Sequence, residues 1–262
     1  MADIEVSVGD GVALVRLNRP QALNALTMPM AEELRAQLAS LATSPAIGAL
    51  VLAGAGRAFC AGADVRELEA RGGQRSQYVA ELAALMHESL MVLQSLPFPV
   101  LAAVKGPAVG GGFGLVLTCD LVVAGSSSRF AAGYHRVGLT PDGGATYWLP
   151  RMVGARRAQE ILMGGRTLGA DDALQWGLIN RVVPDDEVEK VTERWAGDLA
   201  RGPHMAQRET KRLLATSGQR DHAGQLAAEQ EAVTLQAGNA EASEGLRSFL
   251  EGRAPNYGPA PG

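Results

Sequence analysis

The stretch "AVGGGFGLVLTCD", residues 108–120 of this 262-residue chain, constrains the fold more than any other. The apolar segment "VLAAVKG" runs into it and has the length and character of a buried strand. The apolar run after the glycines, residues 115–117, fits a helix. Three successive glycines, Gly110, Gly111 and Gly112, with Gly114 one residue beyond Phe113, mark backbone that comes close to something. A strand, a glycine turn and a helix start make an anion site, because the first helical amides lack internal partners and the dipole is positive there. The dinucleotide fingerprint GxGxxG fails. Counted from Gly110 its third glycine falls on Leu115, and counted from Gly111 it is broken by Phe113. A phosphate-binding GK[ST] does not follow either. Two readings stand: the turn faces an oxyanion, or it is a tight turn needed for packing.

A second stretch repeats the construction. "LVLAGAGRAFCAGADVREL" reads as a strand, a glycine loop and a helix start at Asp64. Two such turns can aim backbone N–H groups at one carbonyl oxygen. Loss of one such donor typically costs about 3–4 kcal/mol of transition-state stabilisation.

Around these turns the chain alternates. "IEVSVGDGVALVRL" reads as two strands about a Gly-Asp-Gly turn. "MPMAEELRAQLASLAT" has helical spacing, with Thr27 as N-cap and Pro29 in the first turn. "IGALVLAGAG" is a short buried strand, residues 76–96 form a long amphipathic helix closed by "PFP", and "DLVVAG" is a further strand. Alternation through residues 1–185 argues for an α/β core, and residues 186–262 read as a wholly helical C-terminal region ending in a Pro/Gly tail expected to fray. The net charge of -4, with no basic block, gives no footprint for nucleic acid. The two cysteines, Cys60 and Cys119, lack the spacing of a disulfide framework or zinc site, which points to a reducing compartment. The N-terminus has the character of neither a signal nor a transit peptide, and the apolar stretches are too short to span a bilayer. The expectation is a soluble cytoplasmic protein.

Five ordered segments carry a resemblance: "LNRPQALNAL", "GRAFCAGADVREL", "PVLAAVKGPAVGGGFGLVLTCDLVVA", "GLTPDGGATYWLPRMVG" and "ADDALQWGLINRVVP". Together they resemble the crotonase family, the enoyl-CoA hydratase/isomerase superfamily, over nearly the whole chain. The resemblance implies a ClpP-like spiral of ββα units with a C-terminal helical trimerisation region, assembled as a homotrimer or dimer of trimers. It implies acyl-CoA thioester substrates, no metal and no cofactor beyond the CoA moiety. It maps the two oxyanion-hole N–H groups onto Ala63 and Gly111.

The side chains around that hole decide the reaction. Hydratases of the family use two glutamates, and the matching positions here are Gly114 and Tyr134. Without either carboxylate, a paired acid and base for adding water is hard to assemble. Asp142, in "GLTPDGG", matches the acidic residue of several enoyl-CoA isomerases, including those of phenylacetate degradation. One carboxylate suffices for a double-bond shift when the hole holds the dienolate. Asp142 also suits a helix N-cap in Pro-Asp-Gly-Gly. His87 reads either as a helix residue bordering the pocket or as a catalytic group. In the family's 4-chlorobenzoyl-CoA dehalogenase a histidine, an aspartate and a tryptophan match His87, Asp142 and Tyr134. There the aspartate attacks the aromatic ring, and the histidine activates the water that hydrolyses the aryl ester. "HESLM" falls short of the zinc motif HExxH, because Met91 stands in place of the second histidine.

For CoA, the resemblance implies Gln21, Ala22 and Leu23 with Ala61, Gly62, Asp64, Val65 and Arg66 along the adenine and pantetheine, and Gly110 beside the hole. Arg57 is placed near the nucleotide phosphates. Arg253 and Tyr257 are placed to reach a neighbouring subunit's nucleotide. Each arginine can equally be a solvated surface charge. The leading expectation is an enoyl-CoA isomerase acting through a thioester enolate. The alternatives are an aryl-CoA hydrolase of the dehalogenase type, an enoyl-CoA hydratase and a non-catalytic acyl-CoA-binding protein.

Overall fold

Period-two alternation in the first seventeen residues builds a hairpin of β1 (Ile4–Gly9) and β2 (Val12–Leu17), with Val6 opposite Val15. The computed structural model, which describes residues 2–258, continues from it with a parallel array. The further strands are β3 (Ala49–Gly54), β4 (Val100–Val104), β5 (Pro107–Val109), β6 (Leu121–Gly125), β7 (Arg129–Ala131), β8 (Leu168–Gly169) and β9 (Arg181–Val183). The main sheet has the order β1-β2-β3-β4-β6-β9 and is parallel from β2 onward, and a small second sheet has the order β5-β7-β8.

The strands are joined by α1 (Met28–Ala42), α2 (Val65–Ala70), α3 (Arg75–Ser95), α4 (Gly111–Thr118), α5 (Ala145–Val153), α6 (Ala155–Leu162) and α7 (Ala170–Gln175). Four more helices follow: α8 (Val188–Ala200), α9 (His204–Thr216), α10 (His222–Ala237) and α11 (Ala240–Glu251). Every residue of β3 is buried, as expected of a parallel strand covered on both faces. Leu50 and Leu52 point into the larger core with Leu34 of α1 and Leu93 of α3. Val51 and Ala53 point the other way, into a second core closed by Val188, Ala196 and Ala200 of α8. The first helix of segment 186–262 therefore packs directly on the sheet.

Two details differ from the sequence-based expectation. The glycine triplet does not follow the buried strand directly, because β5 intervenes. Thr27 holds the N-cap position with extended backbone, yet its side chain makes no capping bond. A cap side chain accepts from N2 or N3, and N2 here is Pro29, which has no N–H. Of the Pro/Gly tail, residues 259–262 lie outside the described residues.

Candidate active site

β5 links the two glycine turns through backbone alone. Pro107 O accepts from Phe59 N and Cys60 N, each at 3.1 Å, and Val109 N donates to Cys60 O at 2.9 Å. Asn24, fully buried, braces the first loop from behind. Its amide nitrogen donates to the carbonyls of Ala55, Ala58 and Phe59 at 2.9, 2.8 and 3.1 Å, and its Oδ1 accepts from Arg19 N at 2.8 Å. Leu26 then pairs as a parallel bridge with Ala63: Leu26 N donates to Gly62 O at 2.8 Å, and Asp64 N donates to Leu26 O at 2.9 Å. In such a bridge the bonds go to the residues flanking Ala63, so its own N–H points away from Leu26. Among the described residues that N–H has no hydrogen-bond partner. Gly111 opens α4, so its N–H is one of the orphan donors of a helix start.

Close packing fixes the second turn. A Cβ placed on Gly112 would come within 2.5 Å of Cys60 Cβ, and one on Gly114 would lie 2.7 Å from the Gly143 carbonyl oxygen. At Gly114, one of the two positions where hydratases carry glutamate, Gly143 backbone therefore fills the space a side chain needs.

Both turns line one cavity of about 170 Å³. Ala63 and Gly111 form one side of it, and Leu68, Val79, Leu82 and Met86 of α2 and α3 form an apolar wall. Asp142 is the single carboxylate on its lining. The Tyr134 hydroxyl donates to Asp142 Oδ1 at 3.2 Å. His87 Nε2 stands 3.6 Å from Asp142 Oδ2, just beyond direct hydrogen-bond reach. The carboxylate does not cap α5. The N-cap is Gly144, and Asp142 contributes only its carbonyl, which accepts from Ala145 N at 3.2 Å. Burial, and then the adjacent Asp142 charge, raise the Tyr134 pKa above its usual range, so the phenol stays a neutral donor. Burial pushes the Cys60 thiol up to about 12, so it is no nucleophile despite its place beneath Gly112.

The other expected binding residues divide into two groups. Ala61, Gly62, Val65 and Gly110 line the cavity. Gln21, Ala22 and Leu23 lie beside them, since Leu23 O accepts from Ala61 N at 3.0 Å. The Asp64 carboxylate is occupied: it caps α2 by accepting from Arg66 N at 3.2 Å and pairs with Arg19 at 3.5 Å. Arg57 and Arg66 are exposed. Arg253 is not brought to the cavity. Its terminal nitrogens bind Glu244 at 2.6 and 3.1 Å and its Nε binds Glu251 at 2.6 Å, which pulls Glu244 down to about 2. Tyr257 packs against Gly245 of α11.

Sequence reasoning missed the role of Asn24, although "LNRPQALNAL" contains it. It also missed a latch between α2 and α3. There Tyr78, 5% exposed, donates to Glu67, and the Arg71 guanidinium lies 4.4 Å from the Tyr78 ring centre. A phenol four residues into an amphipathic helix gives no sign of its partner.

A mixed α/β fold that brings two unpartnered backbone N–H groups and one carboxylate to a small apolar cavity defines a class of enzyme that handles a carbonyl oxygen. The family model for enoyl-CoA hydratase/isomerase matches residues 7–259, and the chain belongs to that family, within the crotonase superfamily. It is 38% identical over 201 residues to 4-chlorobenzoyl coenzyme A dehalogenase-2 of Arthrobacter sp., covering 76% of this chain and 73% of that one. It is 32% identical over 251 residues to 1,2-epoxyphenylacetyl-CoA isomerase of Escherichia coli, covering 95% and 96%. The crystal structure of an enoyl-CoA hydratase from Polaromonas sp. JS666 superposes with a TM-score of 0.93 at 31% identity, covering 97% of this chain and 99% of that one. The chain is thus an acyl-CoA enzyme of this family. Among the described residues no helix is long and apolar enough to cross a membrane.

Proposed function

We propose that this enzyme is an enoyl-CoA isomerase that moves a double bond within an acyl-CoA thioester without adding water. One observation carries the reading: Asp142 is the only carboxylate lining a cavity that also presents the N–H groups of Ala63 and Gly111. In this account those two N–H groups hold the thioester oxygen. Asp142 removes a proton from the carbon next to the thioester carbonyl. The C–H electron pair moves in to form the dienolate, whose negative charge rests on the thioester oxygen. When the carbonyl re-forms, the displaced double-bond pair takes the same proton back from Asp142 at the far carbon. Tyr134 holds one carboxylate oxygen so that the other faces the substrate. Gln21, Ala22, Leu23 and residues 61–66 follow the CoA, and the apolar faces of α10 and α11, with Leu235, Phe249 and Leu250 exposed, meet neighbouring subunits in a trimer. Asp142→Asn tests the assignment: kcat for the double-bond shift should fall by about 10²- to 10⁴-fold with the thioester still bound. Full activity in that variant would remove Asp142 from the mechanism.

The approach of His87 to Asp142 favours a second reading, an aryl-CoA hydrolase in which Asp142 adds to a halogen-bearing ring carbon, halide leaves as the aryl ester forms, and His87 activates the water that hydrolyses that ester. That reading requires a covalent ester on Asp142 to accumulate in His87→Gln, visible as a mass gain on the protein. The isomerase reading expects no adduct.

A further inference from the structure

The catalytic cavity adjoins a larger space, and Leu90 and Gly143 line both. At about 170 Å³ it has room for little more than a benzene-sized group. On the far side of Asp142 lies a groove of about 850 Å³ between α3, the start of α5 and α9. A Cβ on Gly143 would meet Gly114 Cα at 3.5 Å, the Tyr134 hydroxyl at 3.9 Å and Leu90 Cδ1 at 4.0 Å, so Gly143 and the Leu90 side chain form the wall the two spaces share. His87 lines the groove, yet its Nε2 is 3.6 Å from Asp142. An acyl group that outgrows the cavity meets the groove at Leu90 and Gly143.

The groove's chemistry is asymmetric. Met91 and Trp148 give it an apolar near wall, and α9 gives it a far wall of three cations, Arg208, Lys211 and Arg212, with one carboxylate, Glu209. Lys211 there is already used: its Nζ donates to Asp120 at 2.7 Å and to the carbonyls of Phe98 and Leu93 at 3.1 and 3.3 Å. Arg212 uses only its Nε, on Glu209 at 2.8 Å, which leaves both terminal nitrogens. Arg208 makes no side-chain hydrogen bond or ion pair among the described residues. Two guanidinium groups with free donors, at the end of an apolar path and in a chain of net charge -4, suit a carboxylate, which they can bind as a fork.

We infer that the groove receives the distal end of the acyl group and that Arg208 and Arg212 select acyl-CoA thioesters carrying a second, distal carboxylate. This rests on the thioester sitting at Ala63 and Gly111, but not on the reaction that follows. The test therefore uses saturated CoA thioesters, which cannot isomerise. Pairs of equal chain length, one ending in a carboxylate and one in a methyl group, are titrated calorimetrically from butyryl length upward. The carboxylate-ended member should bind about tenfold tighter or more once the chain is long enough to reach α9. In the doubly substituted Arg208→Gln/Arg212→Gln protein that ratio should fall to about one. Equal or weaker binding of the carboxylate-ended member at every length, or a preference that survives the double substitution, overturns the inference. If no thioester binds at all, the placement at Ala63 and Gly111 falls with it. If the preference holds while no double bond moves in unsaturated substrates, only the isomerase reading fails.

Discussion

The turn at residues 61–64 is held by hydrogen bonds from outside it, whereas the turn at residues 110–114 is held by what it lacks. In the first, Asn24, Leu26 and Arg19 reach in from the segment after β2, and Ala61, Ala63 and Asp64 keep side chains, with Gly62, at φ +86° and with Val109 O 2.9 Å from any Cβ it carried, the one packed exception. In the second, Gly112 rests on Cys60 and Gly114 on Gly143, at distances no Cβ tolerates. Both deliver an N–H to the same cavity. The difference teaches where each can be altered. The hydrogen-bonded turn should weaken in steps as individual bonds are removed, and the packed turn should fail outright when an atom is added at Gly112 or Gly114.

The sharpest break of this contrast is Gly114→Glu, which restores the carboxylate of a hydratase. Its Cβ meets Gly143 backbone, so the variant should lose at least about 3 kcal/mol of stability and gain no hydration activity. A stable variant that hydrates enoyl-CoA would show that the packed turn can give way. Next comes Asn24→Ala, which leaves the carbonyls of Ala55, Ala58 and Phe59 without their buried donor and should cost about 2–4 kcal/mol by denaturant titration. Asp64→Ala removes a cap and the partial ion pair to Arg19 and should cost about 1 kcal/mol. A cost equal to that of Gly114→Glu would erase the distinction between the turns.

The smallest effect belongs to the latch that ties α2, just after the first turn, to α3. Burial, and then the bond to Glu67, raise the Tyr78 phenol from 10.0 to about 12. The folded state thus holds this proton more tightly than the unfolded chain. The contribution is complete below pH 10 and is lost as pH rises towards about 12. Tyr78→Phe should cost about 1 kcal/mol at neutral pH, and the gap to the unsubstituted protein should narrow across that alkaline window. A gap that widened there would reverse the sign of the argument.

Much of the fold is readable in local pattern. The hairpin β1–β2, the buried strands β3 and β4 and the long α3 announce themselves by period and length, and both glycine turns by their flanking strands. The site is readable only where one segment supplies it. The Gly-rich turns and Asp142 stand out in single motifs. The bond from Tyr134 to Asp142 is legible as well, since one segment carries both, whereas the approach of His87 is legible only through the family resemblance, because α3 and the loop before α5 are brought together by packing. The strand β5 escaped notice because three residues between a glycine and a glycine triplet carry no period. The groove beyond His87 is invisible for a stronger reason: it is built from α3, α5 and α9, and no one of them has an unusual sequence.

The central claim is that one carboxylate and two backbone N–H groups move a double bond without water. It is tested most directly by incubating the enzyme with 3-enoyl-, 2-enoyl- and aryl-CoA thioesters in H₂¹⁸O and reading product masses. Products of unchanged mass with a shifted double bond are expected. A new ¹⁸O atom in the acyl product would contradict it, and its position would tell hydration from ring hydrolysis.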